Sequence, residues 1–276
     1  MTHMIYVVPS LKAKEKLQCE GKAWAESQGF AYVPRGKRTI QDLMDEYGED
    51  FLVYSSRGPQ IDRPEGSHFF SLNMAELRIQ NLRKGQRDHL LEALMGVKEY
   101  DLRPAAAQPP ISVLDCTCGF GADAAVASFG LPAGSRVDAL EVSPLLEAVT
   151  AWGFSHFVHK KDDVTAALHR ISLRCGDYRD YLLSDEGPVY DVLYFDPMFQ
   201  RPVEASCQFQ PVRAIMEHGG LTRDLIERAL QKARRRVVIK ERDFRQLCRD
   251  FPDVTLCGGK YSRIGYAVLE CDSWKK

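Results

Sequence analysis

An α/β fold centred on a mostly parallel sheet is predicted by three features of the sequence. From residue 111 onward, short strand-like segments rich in Val, Ile and Leu alternate with helical segments, which is typical of parallel strands buried on both faces. The last two strand-like segments are joined by only GGKYSRIG, which is too short for a parallel crossover. Residues 1–68 show the same alternation in a smaller unit. We therefore expect a seven-stranded, mostly parallel sheet with an antiparallel last strand, preceded by a small N-terminal α/β domain.

The predicted N-terminal domain, residues 1–68, has the pattern of a βαβαβ unit. Strands are expected at IYVV, FAYV and DFLVYS, and helices near residues 11–28 and 39–47. The stretch RGPQIDRPEGSHFF, residues 57–70, is rich in Pro and Gly, so we interpret it as a linker.

The second predicted domain, residues 69–276, opens with a helical lead-in at residues 72–96. Apolar residues recur there at helical spacing and predict two amphipathic helices broken near Gly85. After a second linker, RPAAAQPP, strands are expected at ISVLD, RVDALE, ISLRCGD, DVLYFD, RRVVIK, DVTLC and YAVLEC. Helices are expected near residues 122–129, 144–152, 162–169, 221–233 and 242–250.

Composition and charge limit the classes to which the protein can belong. Hydrophobic residues make up 45% of the chain and charged residues 27%, which is ordinary for a globular protein. No apolar run approaches the ~20 residues that span a bilayer. The eight cysteines are scattered without the paired spacing of a zinc site, so we expect a cytoplasmic protein with no membrane association and no metal. The net charge of −1 does not by itself indicate nucleic-acid binding, and the oligomeric state is left open.

A glycine turn after the first strand of the second domain indicates a ligand site. The segment DCTCGFGADA places Asp115 at the end of that strand, and Gly119 and Gly121 in a turn before the next helix. Glycines in such a turn let the backbone approach a ligand without obstruction by a Cβ atom. A single GxG also occurs in turns that serve packing alone, so this turn is weak evidence by itself.

Two acids at the ends of the following strands strengthen this interpretation. Glu141 ends the second strand of the domain, where a carboxylate can accept hydrogen bonds from both hydroxyls of a ribose. Asp177 ends the third strand, where it could reach the amino group of an adenine. Each acid could also be an ordinary turn residue, but the glycine turn and the two acids together favour a cofactor that contains a nucleoside.

Asp123 distinguishes between two such cofactors. It lies at the start of the helix after the glycine turn, where a dinucleotide would place its pyrophosphate. A carboxylate there would repel pyrophosphate but would attract the ammonium group of a methionine moiety. The third glycine of GxGxxG is also missing, because position 124 is Ala. These features favour S-adenosylmethionine over NAD, although Asp123 could equally be a plain helix cap.

The segment VLYFDPMF marks the end of the fourth strand, beside the expected cofactor. The carboxylate of Asp196, with a backbone carbonyl positioned by Pro197, could accept the N–H bonds of an acceptor amine. Phe199 offers a face on which a base could stack, worth ~1–3 kcal/mol. We therefore predict catalytic roles for Asp196, Pro197 and Phe199, with alignment contributing more than proton abstraction. Seen alone, the four residues Asp196-Pro197-Met198-Phe199 could be a plain turn.

Four segments together resemble a known family: DCTCGFGADA, LEVSP, FDPMF and RRVVIKERDF are similar to the bacterial small-subunit ribosomal RNA guanine-N2 methyltransferases (the RsmJ type) and their uncharacterised relatives. The likeness runs from about residue 69 to residue 269. It implies a Rossmann-like class I methyltransferase fold, S-adenosylmethionine as the cofactor and ribosomal RNA as the partner. It also implies cofactor contacts at Ala122, Asp123, Glu141, Val142, Asp177, Tyr178 and Asp196. Ala122 and Val142 depart from the family, which usually has arginine at both positions.

The acceptor is the least defined part of the prediction. A long connection, residues 200–220, follows the DPMF motif, and connections of this length are usually functional or disordered. We expect the acceptor to contact Met198, Arg201 and Arg213, with further positive charge in the lead-in at Arg78, Arg83 and Lys84. Three functions stay open: an RNA guanine methyltransferase, a methyltransferase of a small-molecule or protein amine, and a non-catalytic relative that binds cofactor or RNA. The intact DPMF motif disfavours the last.

Overall fold

Strands and helices alternate through most of the chain. The computed structural model describes residues 4–96, 108–197, 220–258 and 264–272. Its strands are β1 Tyr6–Pro9, β2 Ala31–Tyr32, β3 Phe51–Ser55, β4 Gly58–Arg63, β5 Gly66–Phe69, β6 Ser112–Asp115, β7 Arg136–Glu141, β8 Ser172–Cys175, β9 Val192–Phe195, β10 Arg236–Glu241, β11 Thr255–Gly258 and β12 Gly265–Glu270. Its helices are α1 Glu15–Ser27, α2 Ile40–Tyr47, α3 Asn73–Arg83, α4 His89–Met95, α5 Ala122–Gly130, α6 Pro144–His156, α7 Asp162–His169, α8 Tyr178–Leu183, α9 Arg223–Lys232 and α10 Arg245–Asp250.

These elements form two units, each with its own sheet. The N-terminal unit comprises residues 4–71 together with residues 143–157, and the large-sheet unit contains the other described residues. Helix α6 therefore belongs to the N-terminal unit, although its position in the chain is between two strands of the large sheet.

The N-terminal unit is built on a five-stranded sheet with the order β2-β1-β3-β4-β5. Strand β1 pairs in parallel with β2 and β3, as the βαβαβ pattern predicts. Helix α2 begins at a capping box formed by Thr39 and Asp42, which satisfies two backbone N–H groups of its first turn. Leu43 of this helix packs against Val8 and Phe51 in the core of the unit.

The prediction of a linker at residues 57–70 is wrong, because this stretch forms β4 and β5, two antiparallel strands that extend the sheet. Its Pro and Gly residues mark turns: Gly58 ends the turn after β3 with a φ of +87°. Strand β4 was not predicted because polar residues interrupt its hydrophobic pattern. Gln60 and Asp62 are buried, and they satisfy each other through a hydrogen bond of 2.8 Å.

Helix α6 packs closely within the N-terminal unit because small residues face aromatic rings. A Cβ atom added to Gly153 would lie 1.9 Å from the ring of Phe70, so only glycine allows this approach. Phe70 also meets Phe154 edge to face, with ring centroids 5.6 Å apart. The helix begins at the predicted position, with Ser143 as its cap and Pro144 in its first turn.

The large sheet has seven strands in the order β11-β12-β10-β9-β6-β7-β8. Strands β6 to β10 all run parallel to one another. Strand β12 is antiparallel to both of its neighbours, β10 and β11. The predicted fold class is therefore confirmed. The order of the strands along the chain reverses where β6 and β9 lie side by side in the sheet. Ligands of open α/β sheets bind at such a point, outside the carboxyl ends of the strands.

The predicted elements of the large-sheet unit agree with the structure within a few residues, with one omission. Helix α8, only six residues long, was not predicted, because it follows β8 too closely for a periodic pattern to develop. Helices α3 and α4 form the lead-in and are separated at Gly85, which adopts a φ of +76°. The linker RPAAAQPP lies mostly outside the described residues. Within the described ranges, no helix combines the length and apolarity needed to cross a membrane.

Candidate active site

The pairing of the parallel strands brings four predicted acids to one edge of the large sheet. Asp115, the last residue of β6, pairs with the residue two positions before Glu141 in β7. It also pairs with the residue of β9 that lies two positions before Asp196. Glu141 is in turn level with the residue two positions before Asp177. The acids that the sequence analysis placed at strand ends therefore lie at adjacent carboxyl ends.

The glycine turn after β6 is held by the acid at the end of β7. Gly119 and Gly121 adopt φ angles of +54° and +76°, which glycine favours. The backbone N–H of Gly119 donates a hydrogen bond of 2.8 Å to Oε2 of Glu141, which is buried. Among the described residues, an ideal Cβ at Gly119 would meet only a backbone oxygen, 4.0 Å away, so none of these residues fills the space beside the turn. A ligand could approach the backbone there.

Asp115 stabilises the glycine turn by a hydrogen bond within the turn. Its side chain is almost fully buried and accepts a hydrogen bond of 3.1 Å from the backbone N–H of Thr117. The hydroxyl of Thr117 accepts a bond of 2.6 Å from the backbone N–H of Asp196, so one residue ties the turn to the end of β9. Burial raises the pKa of Asp115 well above its usual range, and the nearby carboxylates of Asp123 and Asp196 add to this effect.

Asp177 caps helix α8 and pairs with an arginine in the first turn of that helix. Its carboxylate accepts hydrogen bonds from the backbone N–H and the guanidinium group of Arg179. Partial burial would raise the pKa of Asp177, but these hydrogen bonds outweigh it and the pKa is lowered. Tyr178 is buried, with its ring edge-to-face against Phe195 at 5.3 Å between centroids. Ala122 and Val142 are half-buried beside the turn and after β7.

Asp123 lies in the first turn of α5 and is the centre of a buried ionic network. Its Oδ1 accepts from the guanidinium group of Arg78, and its Oδ2 accepts from the hydroxyl of Tyr194 at 2.7 Å and from Nζ of Lys240 at 2.8 Å. Arg78 also forms a paired contact with Asp88 at 2.8 Å. Burial would raise the pKa of Asp123, but Lys240 and Arg78 outweigh it and lower this pKa.

Asp196 shares the same lysine. Nζ of Lys240 lies 2.7 Å from Oδ2 of Asp196, whose side chain is 29% exposed, and no described residue donates a hydrogen bond to Oδ1. Burial raises the pKa of Asp196 to about 6, although Lys240 acts in the opposite direction. Burial would lower the pKa of Lys240, but the carboxylates of Asp123 and Asp196 outweigh it and raise that pKa.

The contacts of Lys240 and Arg78 with the acids of this network were not predicted from the sequence. Lys240 ends the RRVVIK strand, and its position at the carboxyl end of a strand next to β9 was the available signal. Arg78 was expected to add charge for the acceptor, but it is engaged with two aspartates inside the unit. Arg83 likewise pairs with Asp163. Met198, Phe199, Arg201 and Arg213 lie outside the described residues, so their roles stay predictions, and Pro197 is the last described residue of its range.

A separate group of potential metal ligands was also not predicted. His89, Glu92 and Cys257 place one ligand atom each within 4.8 Å of one another. Glu92 accepts contacts from Nδ1 of His89 at 2.9 Å and from the thiol of Cys257 at 3.3 Å, and it pairs with Arg87. The acid is therefore already balanced by protein groups, and the expectation of no metal stays a prediction.

The strand order and the glycine turn after β6, with Glu141 at the end of β7 and Asp196 after β9, are those of a Rossmann-like class I methyltransferase fold. Residues 76–264 match SAM_MT, a family of SAM-dependent methyltransferases. The chain belongs to this family. S-adenosylmethionine is therefore its cofactor, as the acids at the strand ends and the resemblance predicted.

Relatives of known sequence agree with this assignment. Protein YpiP of Bacillus subtilis, described as uncharacterized, is 28% identical over 236 residues, which cover 85% of this chain and 88% of that protein. Ribosomal RNA small subunit methyltransferase J of Pseudomonas paraeruginosa is 28% identical over 79% of this chain and 77% of that protein. The protein of the same name from Thioalkalivibrio sulfidiphilus is 32% identical over 56% and 57%. The predicted resemblance to this type of protein is confirmed.

A solved structure supports the fold. The crystal structure of the SAM-dependent methyltransferase NGO1261 from Neisseria gonorrhoeae covers 97% of this chain and 96% of that chain, with a TM-score of 0.57 and 15% sequence identity. At this identity the likeness concerns the arrangement of strands and helices alone.

Proposed function

We propose that the protein transfers a methyl group from S-adenosylmethionine to the exocyclic N2 amine of a guanine in small-subunit ribosomal RNA. The observation that carries the proposal is the Asp196-Pro197 sequence at the end of β9, which holds a partly exposed carboxylate beside the glycine turn. Relatives named Ribosomal RNA small subunit methyltransferase J support the choice of RNA. A cytoplasmic location follows from this substrate.

The chemistry required of the protein is mainly alignment. When bound, S-adenosylmethionine supplies a methyl group on a positively charged sulfur that leaves readily as a neutral thioether. The acceptor nitrogen forms the new C–N bond and loses one proton to water. Its lone pair is delocalised into the base, so a carboxylate oxygen that accepts an N–H bond both directs and localises that lone pair. Oδ1 of Asp196 is suited to this role, because Oδ2 is held by Lys240.

The cofactor is expected to lie along the carboxyl edge from β6 to β8. Gly119 and Gly121 would allow close approach of its methionine part, Glu141 would accept the ribose hydroxyls, and Asp177 would lie nearest the adenine. The space beside Gly119 that no described residue fills, and the carboxylate acceptors at the ends of β7 and β8, fit this cofactor. The oxygens of Asp123 are already bonded to Arg78, Tyr194 and Lys240. A contact with the methionine ammonium would therefore add to an existing network.

Replacing Glu141 by glutamine is expected to weaken S-adenosylmethionine binding about 10- to 100-fold, because a hydrogen bond to a charged group contributes about 1.5–3 kcal/mol. Glutamine keeps an oxygen for the N–H of Gly119, so the turn should persist. Titration calorimetry at pH 7 measures the change. Glu227→Gln, at an exposed position on α9, is the matched control and should bind as the wild type does. Equal affinities for both variants would remove Glu141 from the cofactor site.

The rate of methyl transfer is expected to fall as the pH decreases through about 6. The pKa of Asp196 is raised to about 6, so the carboxylate that accepts the amine N–H is present above this pH and is protonated below it. A plot of kcat/KM for the RNA against pH should show an acid limb near this value, because kcat/KM reports the pKa values of the enzyme before the RNA binds. An activity that stays constant down to pH 4.5 would exclude an ionised Asp196 from the rate-limiting step.

The substrate is tested with small ribosomal subunits isolated from cells that lack this methyltransferase. Transfer of radiolabelled methyl groups, followed by nucleoside mass spectrometry, should yield N2-methylguanosine. Fully modified subunits provide the control and should accept no label. Label found on protein or on small amines in a cell extract, with none on RNA, would favour the alternative of a small-molecule or protein amine. Cofactor binding without any transfer would favour the non-catalytic relative.

A further inference from the structure

We propose that Lys240 is a positioning residue of the acceptor site, which fixes the carboxylate of Asp196 for the amine and links it to Asp123 at the cofactor turn. The proposal rests on the proposed function and deepens it. The resemblance assigns no role to this lysine. The evidence for this role is a pair of contacts made by one largely buried ammonium group, at 2.7 Å to Asp196 and 2.8 Å to Asp123.

The geometry leaves one oxygen of Asp196 for the acceptor. Lys240 binds Oδ2, and the backbone N–H of Asp196 is held by the hydroxyl of Thr117. The carboxylate is thus held at one oxygen and the backbone of the same residue at its N–H, while Oδ1 receives no hydrogen bond from the part of the chain that the structure describes. A carboxylate with one engaged oxygen has a defined orientation before the substrate arrives, and such preorganisation reduces the cost of aligning an amine.

Lys240 acts as a fixed charge and not as a base. Its side chain is 15% exposed, and the two carboxylates raise its pKa, so it stays protonated at neutral pH. The network of two cations, Lys240 and Arg78, with the three carboxylates of Asp88, Asp123 and Asp196 carries a net charge of −1. The site therefore remains attractive to the positively charged sulfonium of the cofactor, even with a lysine inside it.

The same contact controls the protonation of Asp196. Burial and neighbouring carboxylates raise the pKa of Asp196, and Lys240 opposes them. Besides Lys240, the charged and titratable groups that face the pair are Asp115 on β6, Asp123 on α5, Tyr194 on β9, Glu241 on β10 and Tyr266 on β12. Three of these five groups are carboxylic acids, and Tyr194 and Tyr266 are neutral at pH 7 because burial raises their pKa values. Loss of Lys240 would therefore favour the protonated acid.

The test compares Lys240→Met, which removes the charge at similar length, with Lys240→Arg, which keeps it. Lys161→Met, at an exposed position on the surface of the same unit, is the control. The pKa of Asp196 is read from its carboxyl ¹³C resonance, assigned with Asp196→Asn. It should rise by at least about one unit in Lys240→Met and stay near the wild-type value in Lys240→Arg and Lys161→Met.

Methyl transfer to the unmodified subunits gives the second reading. In Lys240→Met, kcat should fall about 10- to 100-fold, with its acid limb moved to higher pH and the KM for the cofactor changed less than about threefold. Lys240→Arg should restore the position of the acid limb. A fall in kcat with an unmoved acid limb, or an Asp196 pKa that is the same with and without Lys240, would overturn the proposal. If the wild type transfers no methyl group to RNA, the proposed function fails, and the NMR titration alone decides the role of Lys240.

Discussion

Methyl transfer by Asp196→Ala is expected to be about 10²- to 10³-fold slower than by the wild type, with S-adenosylmethionine still bound. The variant removes the acceptor for the amine N–H, and the loss of one such preorganised group commonly costs this much in kcat. The backbone N–H of residue 196 keeps its bond to Thr117, so the end of β9 should stay in place. Single-turnover transfer with saturating cofactor measures the chemical step directly.

Asp196→Asn provides a finer comparison. Its amide oxygen can still accept an N–H bond from the acceptor, but its NH₂ group cannot accept from Lys240. We expect an intermediate rate, because the side chain must choose between the amine and the lysine for its single oxygen. Asp185→Asn, at an exposed site in the same unit, should transfer at the wild-type rate. If Asp196→Ala retains more than about half of the wild-type rate, the carboxylate does not align the acceptor.

The strand ends of the candidate site could be predicted from sequence because parallel strands leave a regular pattern. Buried strands are nearly continuous apolar runs, so the first polar residue after each one marks the carboxyl edge of the sheet. Glu141 and Asp196 were identified in this way, and the glycine turn followed from its spacing to β6. The two strands at residues 58–69 were missed for the converse reason. The buried residues Gln60 and Asp62 hydrogen-bond to each other, and no hydrophobic alternation reveals such a pair.

The partners of the site residues could not be predicted, because they come from elements far apart in the chain. Lys240 is 117 residues from Asp123 and 44 from Asp196, and Arg78 is 45 residues from Asp123. Sequence spacing carries no information on contacts of this range without the strand order. Once the order β10-β9-β6 is known, a lysine at the end of β10 and an acid after β9 become neighbours. The electrostatic character of the site is therefore a property of the sheet topology and not of any motif.

Asp123→Asn is expected to destabilise the large-sheet unit by about 2–3 kcal/mol at pH 7. The substitution keeps the size of the side chain but removes one of the two carboxylates that each partly buried cation contacts, and a hydrogen bond to a charged group contributes about 1.5–3 kcal/mol. Arg78 keeps Asp88 and Lys240 keeps Asp196, so the unit should still fold. The asparagine amide would also place an NH₂ group against one of the cationic donors.

Tyr194→Phe is the matched control for this prediction. It removes one neutral donor from the same Oδ2 atom and leaves both cations in place, so a loss of only about 1 kcal/mol is expected. Two of the three tryptophans, Trp24 and Trp152, belong to the N-terminal unit, so tryptophan fluorescence would mix the signals of the two units. Hydrogen exchange of peptides from β6 and β9, read by mass spectrometry along a urea series, measures the unit of interest.

The pH dependence separates a charge effect from a packing effect. The pKa of Asp123 is lowered in the folded state, so its contribution to stability is present above the unfolded value of about 4 and is lost as the pH falls below it. Asp196 acts in the opposite direction, because its raised pKa makes folding more favourable at low pH and this gain disappears as the pH rises through about 6. The difference between wild type and Asp123→Asn should therefore shrink below pH 4. A difference that is the same at pH 7 and pH 3 would mean that shape, and not charge, makes Asp123 necessary at the start of α5.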